Sequence, residues 1–190
     1  MNYLNRLCIY SGGIDGKEFA YVSDEEYPSE LRYKITDGIM LEIHEKIILT
    51  LKNITKKHPD FIGSTEHFPI VSEKFKKILE SLPDKNNFQF FECVLKDSDS
   101  KMKYFYLNIL NNIECLDREN SVCRFDEDDP SIIWRIFKLA MKMDKIEGRN
   151  LFRMQEFKSS ILVSPFLEKL IKEEGITGYK IGNTENLIED

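Results

Sequence analysis

The stretch PIVSEKFKKILESLP, residues 69–83, decides how this chain begins to fold. Ile70 and Val71 favour a pleated, half-buried backbone. After Ser72 the apolar period changes. Phe75, Ile78, Leu79 and Leu82 share one helical face, while Lys74, Lys76 and Lys77 lie elsewhere. Pro83 stops the run, because a proline disfavours α geometry in the residue before it. The reading is strand, serine, helix. The same order of signals returns about ninety residues later as ILVSPFLEKLIKEEG, residues 161–175. Aligned on the serines, the two stretches share Val71 with Val163, Ser72 with Ser164 and Lys77 with Lys169, and otherwise only an apolar pattern. A duplication and a recurring strand-to-helix junction both account for that.

Two chemistries compete for a serine in such a place. A nucleophile elbow needs glycines on both sides, as in G-x-S-x-G, to permit its strained turn. The neighbours here are Val71, Glu73 and Lys74, or Val163, Pro165 and Phe166. A capping serine only has to accept a hydrogen bond from an N–H two or three residues on, worth about 1 kcal/mol. Glu73 suits the positive end of a helix dipole. Pro165 suits a first helical position, where no N–H is needed. Both serines are therefore expected as helix caps, and Gly175 as the left-handed residue after the second helix.

Outward from these anchors, FQFFECVLK (88–96) is predicted as a strand with apolar residues on both faces, hence central. The segment 104–117 pairs with it through a polar loop at 97–101, with a bend at Asn111 and Asn112. Residues 132–144 fit either period, and the Ile-Ile-Trp start favours a strand. Residues 3–10 read as a strand ending in the glycine turn SGGIDG, and 17–28 as a short strand running into an acidic loop closed by Pro28. Residues 39–43 allow a strand, 45–54 a helix or a strand, and 56–69 a loop. A short strand near 150–154 and a last one at 176–181 complete the set. The expected fold is α+β: a mostly antiparallel sheet with a few short helices packed on it, two of them starting at Val-Ser junctions, in one domain over 1–190.

A chain of 190 residues with 42% hydrophobic content can bury a core without disulfides. Cys8, Cys93, Cys115 and Cys123 show no C-x-x-C spacing, and Cys93 and Cys115 read as small buried hydrophobes. The opening MNYLNRLCIYSGG lacks the apolar core of a secretory signal, and no run of about 18 apolar residues exists. The expectation is a cytoplasmic protein without membrane contact. A net charge of −6 argues against nucleic acid as a partner and suits a basic protein.

No catalytic constellation stands out. His44, His58 and His67 form no metal-ligand pair, and one loop holding Glu66 and His67 near Asp60 lacks the ligand count of a metal site. No cofactor or metal is expected. The densest charge cluster is Asp126, Glu127, Asp128 and Asp129, followed by Pro130; Asp24, Glu25 and Glu26 form a second. Contiguous carboxylates splay outward, so both clusters are candidate patches for steering a basic protein partner.

The ordered segments PDFIGSTEHFPIVSEKFKKILE, YFYLNILNNIECLDRENS, NLFRM and ILVSPFLEKLIKEEGITGYKI, over residues 59–182, resemble the bacterial immunity protein family numbered eleven in the polymorphic toxin classification. Residues 1–58 carry no such likeness. The resemblance implies a non-enzymatic protein that binds a cognate toxin domain and occludes its active site, with a basic nuclease among the candidate partners. It maps the family's recurring residues onto Ser72, Asn108, Asp117, Ser121, Phe152, Ser164 and Gly178. The alternatives are an enzyme using a loop carboxylate and His67, and a regulatory module binding another protein.

Overall fold

Every residue of Tyr104–Ile109 is buried, on both faces of the strand. Around that strand the chain is organised in layers. The computed structural model describes residues 5–9, 20–52, 58–64, 68–96 and 102–183. The elements are β1 (Asn5–Ile9), β2 (Tyr21–Glu26), α1 (Ser29–Lys34), β3 (Ile47–Lys52), β4 (Phe61–Gly63), β5 (Pro69–Ser72), α2 (Glu73–Ser81), β6 (Phe88–Lys96), β7 (Tyr104–Ile109), β8 (Val122–Phe125), β9 (Ile133–Lys138), α3 (Met143–Ile146), β10 (Leu151–Arg153), β11 (Ile161–Val163), α4 (Pro165–Glu173) and β12 (Tyr179–Asn183). The glycine turn expected at 11–16, the loop at 97–101, Glu66 and His67 lie outside the described residues.

The fold is α+β, but its largest sheet is not simply antiparallel. That six-stranded sheet runs β2-β3-β6-β7-β5-β4, and β3 pairs with β6 in parallel, from Ile47 opposite Cys93 to Thr50 opposite Lys96. A parallel pair needs a long crossover, and here the crossover carries β4, β5 and α2. A four-stranded antiparallel sheet runs β10-β11-β1-β12, and β8 and β9 form a hairpin of their own.

Alternation along β7 divides the core. Phe105, Leu107 and Ile109 enter one apolar cluster with Phe75, Ile78 and Leu79 of α2, Leu167 and Ile171 of α4, and Leu151, Ile161 and Val163 of the four-stranded sheet. Tyr104 and Tyr106 enter a second, under Leu31 and Ile35. A third joins Phe152 and Leu162 to Ile113, Cys115, Ile133 and Ile136. Phe105, Leu107, Ile109, Ile113 and Cys115 were expected on one face, with a bend at Asn111 and Asn112. The bend is there, with Asn111 at a left-handed φ of 58°, but the strand ends at Ile109, and Ile113 and Cys115 turn into the third cluster.

Several local expectations are corrected. Within the expected 45–54, Ile47–Lys52 form β3, because Ile47, Leu49 and Leu51 alternate inward between two strands; 53–54 lie outside the described residues. Residues 39–43 form no strand. Amide side chains hold them instead: Gln89 Oε1 accepts from Leu41 N, and Asn108 Nδ2 donates to Ile39 O. The expected loop at 56–69 contains β4, and α1 carried no signal that was read. The acidic residues 24–26 belong to β2 and not to a loop.

The two Val-Ser junctions lie in different sheets but share one construction. Ser72 Oγ accepts from Phe75 N at the start of α2, and Ser164 Oγ accepts from Leu167 N at the start of α4. Each hydroxyl then donates onward. Ser72 gives its proton to Asp60 Oδ1 at 2.7 Å, and Ser164 to Asn150 Oδ1 at 2.9 Å. The same partners accept the serine backbone N–H groups through their carbonyls. Each partner stands one residue before a short strand, β4 or β10, that pairs antiparallel with the strand leading to the serine. Gly175, at φ 62°, closes α4: Gly175 N donates to Lys172 O and Ile176 N to Ile171 O.

These bonds give unequal serines. Ser72 is 1% exposed and its acceptor is a buried carboxylate, so Ser72→Ala loses a cap and a charge-assisted bond together. We expect a cost of about 2–3 kcal/mol for Ser72→Ala and about 1 kcal/mol for Ser164→Ala, read by urea unfolding. Equal costs would mean the Asp60 bond contributes nothing.

Candidate functional site

The β8–β9 hairpin is built with two irregularities, and both fall on aromatic residues. Val122 pairs with Lys138, Cys123 with Ile136, Arg124 with Arg135, and Phe125 with Ile133. Phe137 and Trp134 are therefore the extra residues of two successive bulges on β9. A bulge re-aims the side chain it carries. The inward set becomes Ile133, Ile136 and Leu139, at intervals of three. Sequence alternation puts Ile133, Phe137, Leu139 and Met141 on one face; the bulges overturn that, and Phe137 and Trp134 point outward, 38% and 61% exposed.

Three guanidinium groups lie over the hairpin's rings. Arg118 stands 5.0 Å from the Phe125 centroid, Arg124 5.7 Å from Trp134, and Arg135 5.3 Å from Phe137. Each such contact attracts through the ring quadrupole and holds the ring in place.

The acidic residues at 126–129 form the turn between these strands, and their carboxylates are not alike. Asp126 Oδ1 accepts from the backbone N–H of Asp128 and of Asp129, and Asp126 Oδ2 accepts from Trp134 Nε1 at 2.7 Å. Asp129 Oδ1 accepts from Ser131 N and Ser131 Oγ. Those bonds favour the charged form, so Asp126 sits below its ordinary 3.8, chiefly through the Asp129 and Asp128 N–H groups and then the indole. Asp129 is lowered mainly by Ser131. Two of the four carboxylates thus hold the turn, and only Glu127 and Asp128 project from it without a hydrogen bond or ion pair among the described residues. A cleft of about 280 Å³ beside the turn is lined by Arg124, Phe125, Trp134 and three of these acids.

The second acidic cluster is equally divided. Glu25 Oε2 accepts from Ser64 Oγ and from the Tyr106 hydroxyl, and Glu26 pairs with Lys96 at 3.2 Å. Asp24 is exposed and accepts from Glu25 N. Among the described residues, β2 pairs with β3 in the six-stranded sheet and the β8–β9 hairpin stands in a sheet of its own, so the two acidic clusters lie on different sheets.

The residues considered for acid–base or metal chemistry are placed elsewhere. Asp60 is buried, and its Oδ2 accepts from Thr177 N and Thr177 Oγ1. His44 is exposed on a coil and His58 is half-buried. Among the described residues, no three His, Cys, Asp or Glu side chains gather as metal ligands would. Cys93 and Cys115 are buried thiols, and burial pushes Cys115 up to about 12. Cys123 is half-buried beneath the hairpin. No helix among these residues is long and apolar enough to cross a membrane. Arg153, 2% exposed on β10, went unremarked in the sequence; its Nη1 donates to Lys158 O and burial lowers it to about 10.

A match to the Immunity protein family (Imm11) spans residues 13–186. The chain belongs to this family. Comparison with curated proteins finds no match. The family match extends beyond the 59–182 legible by eye and takes in most of the N-terminal segment. The recurring residues named from the resemblance are scaffold positions. Ser72 and Ser164 cap helices. Asn108 and Phe152 are buried. Asp117 accepts from Glu119 N and Asn120 N in a turn, and Ser121 Oγ donates to Ala140 O. Gly178 has φ +84°, and a Cβ there would meet Phe61 O at 2.1 Å. None of them lies on the outer face of the hairpin.

Trp134 is the only tryptophan of the chain, so its emission reports the Asp126 turn. A depressed folded pKa means the turn's contribution is present above the unfolded value and lost as pH falls through the folded one. Emission should stay constant from pH 7 down to pH 4 and change below 3.8, with far-UV circular dichroism marking any global unfolding. Asp126→Asn should remove that step. A step at or above pH 4 would refute the bonded carboxylate.

Proposed function

We propose that this chain binds and neutralises a cognate bacterial toxin domain and so protects the cell that makes it, acting in the cytoplasm by covering the toxin's active site. The observation that carries the reading is the family match over most of the chain. The division of labour in the structure supports it. The recurring residues are used in caps, turns and core, which leaves the exposed hairpin and strand edges to vary with the partner. A toxin with a basic substrate groove, a nuclease among others, would be drawn to exposed carboxylates.

The direct test is co-expression. The toxin domain encoded beside this chain's gene should arrest growth alone, and growth should recover when this chain is present. Unchanged toxicity with soluble chain present would overturn the reading. The steering role is tested on the two projecting acids, because Asp126 and Asp129 maintain the turn. Glu127→Lys with Asp128→Lys should slow association about tenfold at low salt and little at high salt, measured by stopped flow. Association rates and salt slopes equal to wild type would remove the turn from the encounter.

A further inference from the structure

Among the described residues two charged side chains are buried, Asp60 and Arg153, and the fold treats them differently. Asp60 is well served: Ser72 Oγ, Thr177 N and Thr177 Oγ1 all donate to its carboxylate. Arg153 makes one bond, from Nη1 to Lys158 O at 2.8 Å, while Nε and Nη2 are buried without a hydrogen-bond partner. No carboxylate offsets its charge. Burial alone lowers it, and at about 10 it is still a cation at neutral pH. The acid closest in sequence, Glu156, is turned to Leu116 N, and its other oxygen is buried without a partner too. The two atoms left over on Arg153 are not a random pair. Nε–H and the neighbouring Nη2–H point in parallel from one edge of the planar guanidinium, the edge that fits two oxygens of a carboxylate or phosphate. The bond from Nη1 to Lys158 O fixes the plane in which that edge lies. Arg153 ends β10 at the edge of the four-stranded sheet. The loop it bonds to, residues 155–159, is half-buried or exposed throughout, so the guanidinium lies one layer beneath the surface. A water molecule could accept both N–H groups and would leave the charge uncompensated. An oxyanion answers the hydrogen bonds and the charge together.

We propose that the Nε–Nη2 edge of Arg153 is a binding site for a small oxyanion, a carboxylate or inorganic phosphate, held beneath the 155–159 loop as part of the folded protein. The site is independent of the toxin reading and stands or falls without it. The anion binds only where Lys158 O holds the guanidinium and the loop is closed, which is the folded chain. Stability is therefore linked to anion concentration. The loop's other fastenings, Gln155 N on Ile113 O and Lys158 Nζ on Asp37 Oδ1 at 2.7 Å, keep it closed over the site.

The experiment uses the full chain labelled with nitrogen-15 and carbon-13, unfolded in urea and refolded into chloride buffer to strip any anion carried from the cell. The Arg153 Nε–Hε resonance, assigned through its own side-chain carbons, is followed as inorganic phosphate or acetate is added at constant ionic strength. It should move downfield and saturate. A response to phosphate alone assigns a tetrahedral oxyanion, and a response to acetate as well assigns a site that also takes carboxylates. Above saturation, a tenfold rise in anion concentration should raise the melting temperature by about 3–5 °C, and Arg153→Met should lose that rise. A resonance that neither anion moves, with cross-peaks to water, makes the site a buried hydration site and overturns the proposal. A resonance moved by Glu156→Gln in chloride alone assigns the edge to the chain's own carboxylate and overturns it equally. A melting temperature that rises alike in wild type and Arg153→Met places the anion effect elsewhere and counts against the site. The labelled wild-type chain decides the matter even where a variant fails to fold.

Discussion

Two serine hydroxyls hold the scaffold, and each is bonded across to the loop that follows the other's helix. Ser72 caps α2 and donates to Asp60, whose second oxygen is taken by Thr177, just beyond the end of α4. Ser164 caps α4 and donates to Asn150, whose Nδ2 donates to Asp84 just beyond the end of α2. Lys74 in the first turn of α2 also reaches the carbonyl of Glu174 at the end of α4. Neither helix can shift without breaking the cap of its counterpart. A buried carboxylate without partners costs several kcal/mol, so Asp60 is stable in its place only while both Ser72 and Thr177 stay in theirs.

The pair of units behind those serines is one design used twice. In each, an Asp or Asn precedes a three-residue strand, an antiparallel partner strand leads to Val-Ser, and a nine-residue helix follows. Even the register agrees: Phe61 faces Val71 as Leu151 faces Val163. One copy ends the six-stranded sheet and the other ends the four-stranded sheet, and their helices share a single apolar cluster. The sequence echo covers the partner strand, the serine and the helix, and leaves out the Asp or Asn and the short strand before them. Asp60 and Asn150 differ in charge, and the strands they precede are identical at no matched position, so the likeness is one of hydrogen bonding and invisible to alignment on letters.

What could be read beforehand follows the strength of local signals. The caps, α2 and α4 were legible because period, capping chemistry and proline agreed at each, and β6 and β7 because their runs are apolar and joined by a polar loop. The parallel pairing of β3 with β6 was not, since residues 47–52 carry no mark of which strand lies beside them. The coil at 39–43 was misread because its hydrogen bonds go to Gln89 and Asn108, some fifty to seventy residues away. On β9 strict alternation failed for a nameable reason: bulges at Trp134 and Phe137 turn a period of two into a period of three. The spacing of Ile133, Ile136 and Leu139 was in the sequence and reads naturally as a helix. Only the opposing strand makes it a bulged one.

The four carboxylates of the acidic turn are not equivalent. Four contiguous acids mark the hairpin, but two of them are consumed by backbone N–H groups, a serine and an indole. Their function is to hold Trp134 and close the turn. The residues left over on the strands are aromatic and basic, the opposite sign to the chain's net charge of −6. Long-range attraction responds to net charge and to the projecting Glu127 and Asp128, whereas short-range contact is decided by what the face itself presents. The hairpin therefore has an acidic tip and a basic, ring-bearing face. That polarity would be lost if the bulges were ironed out, because a regular strand would turn one of the two rings into the core.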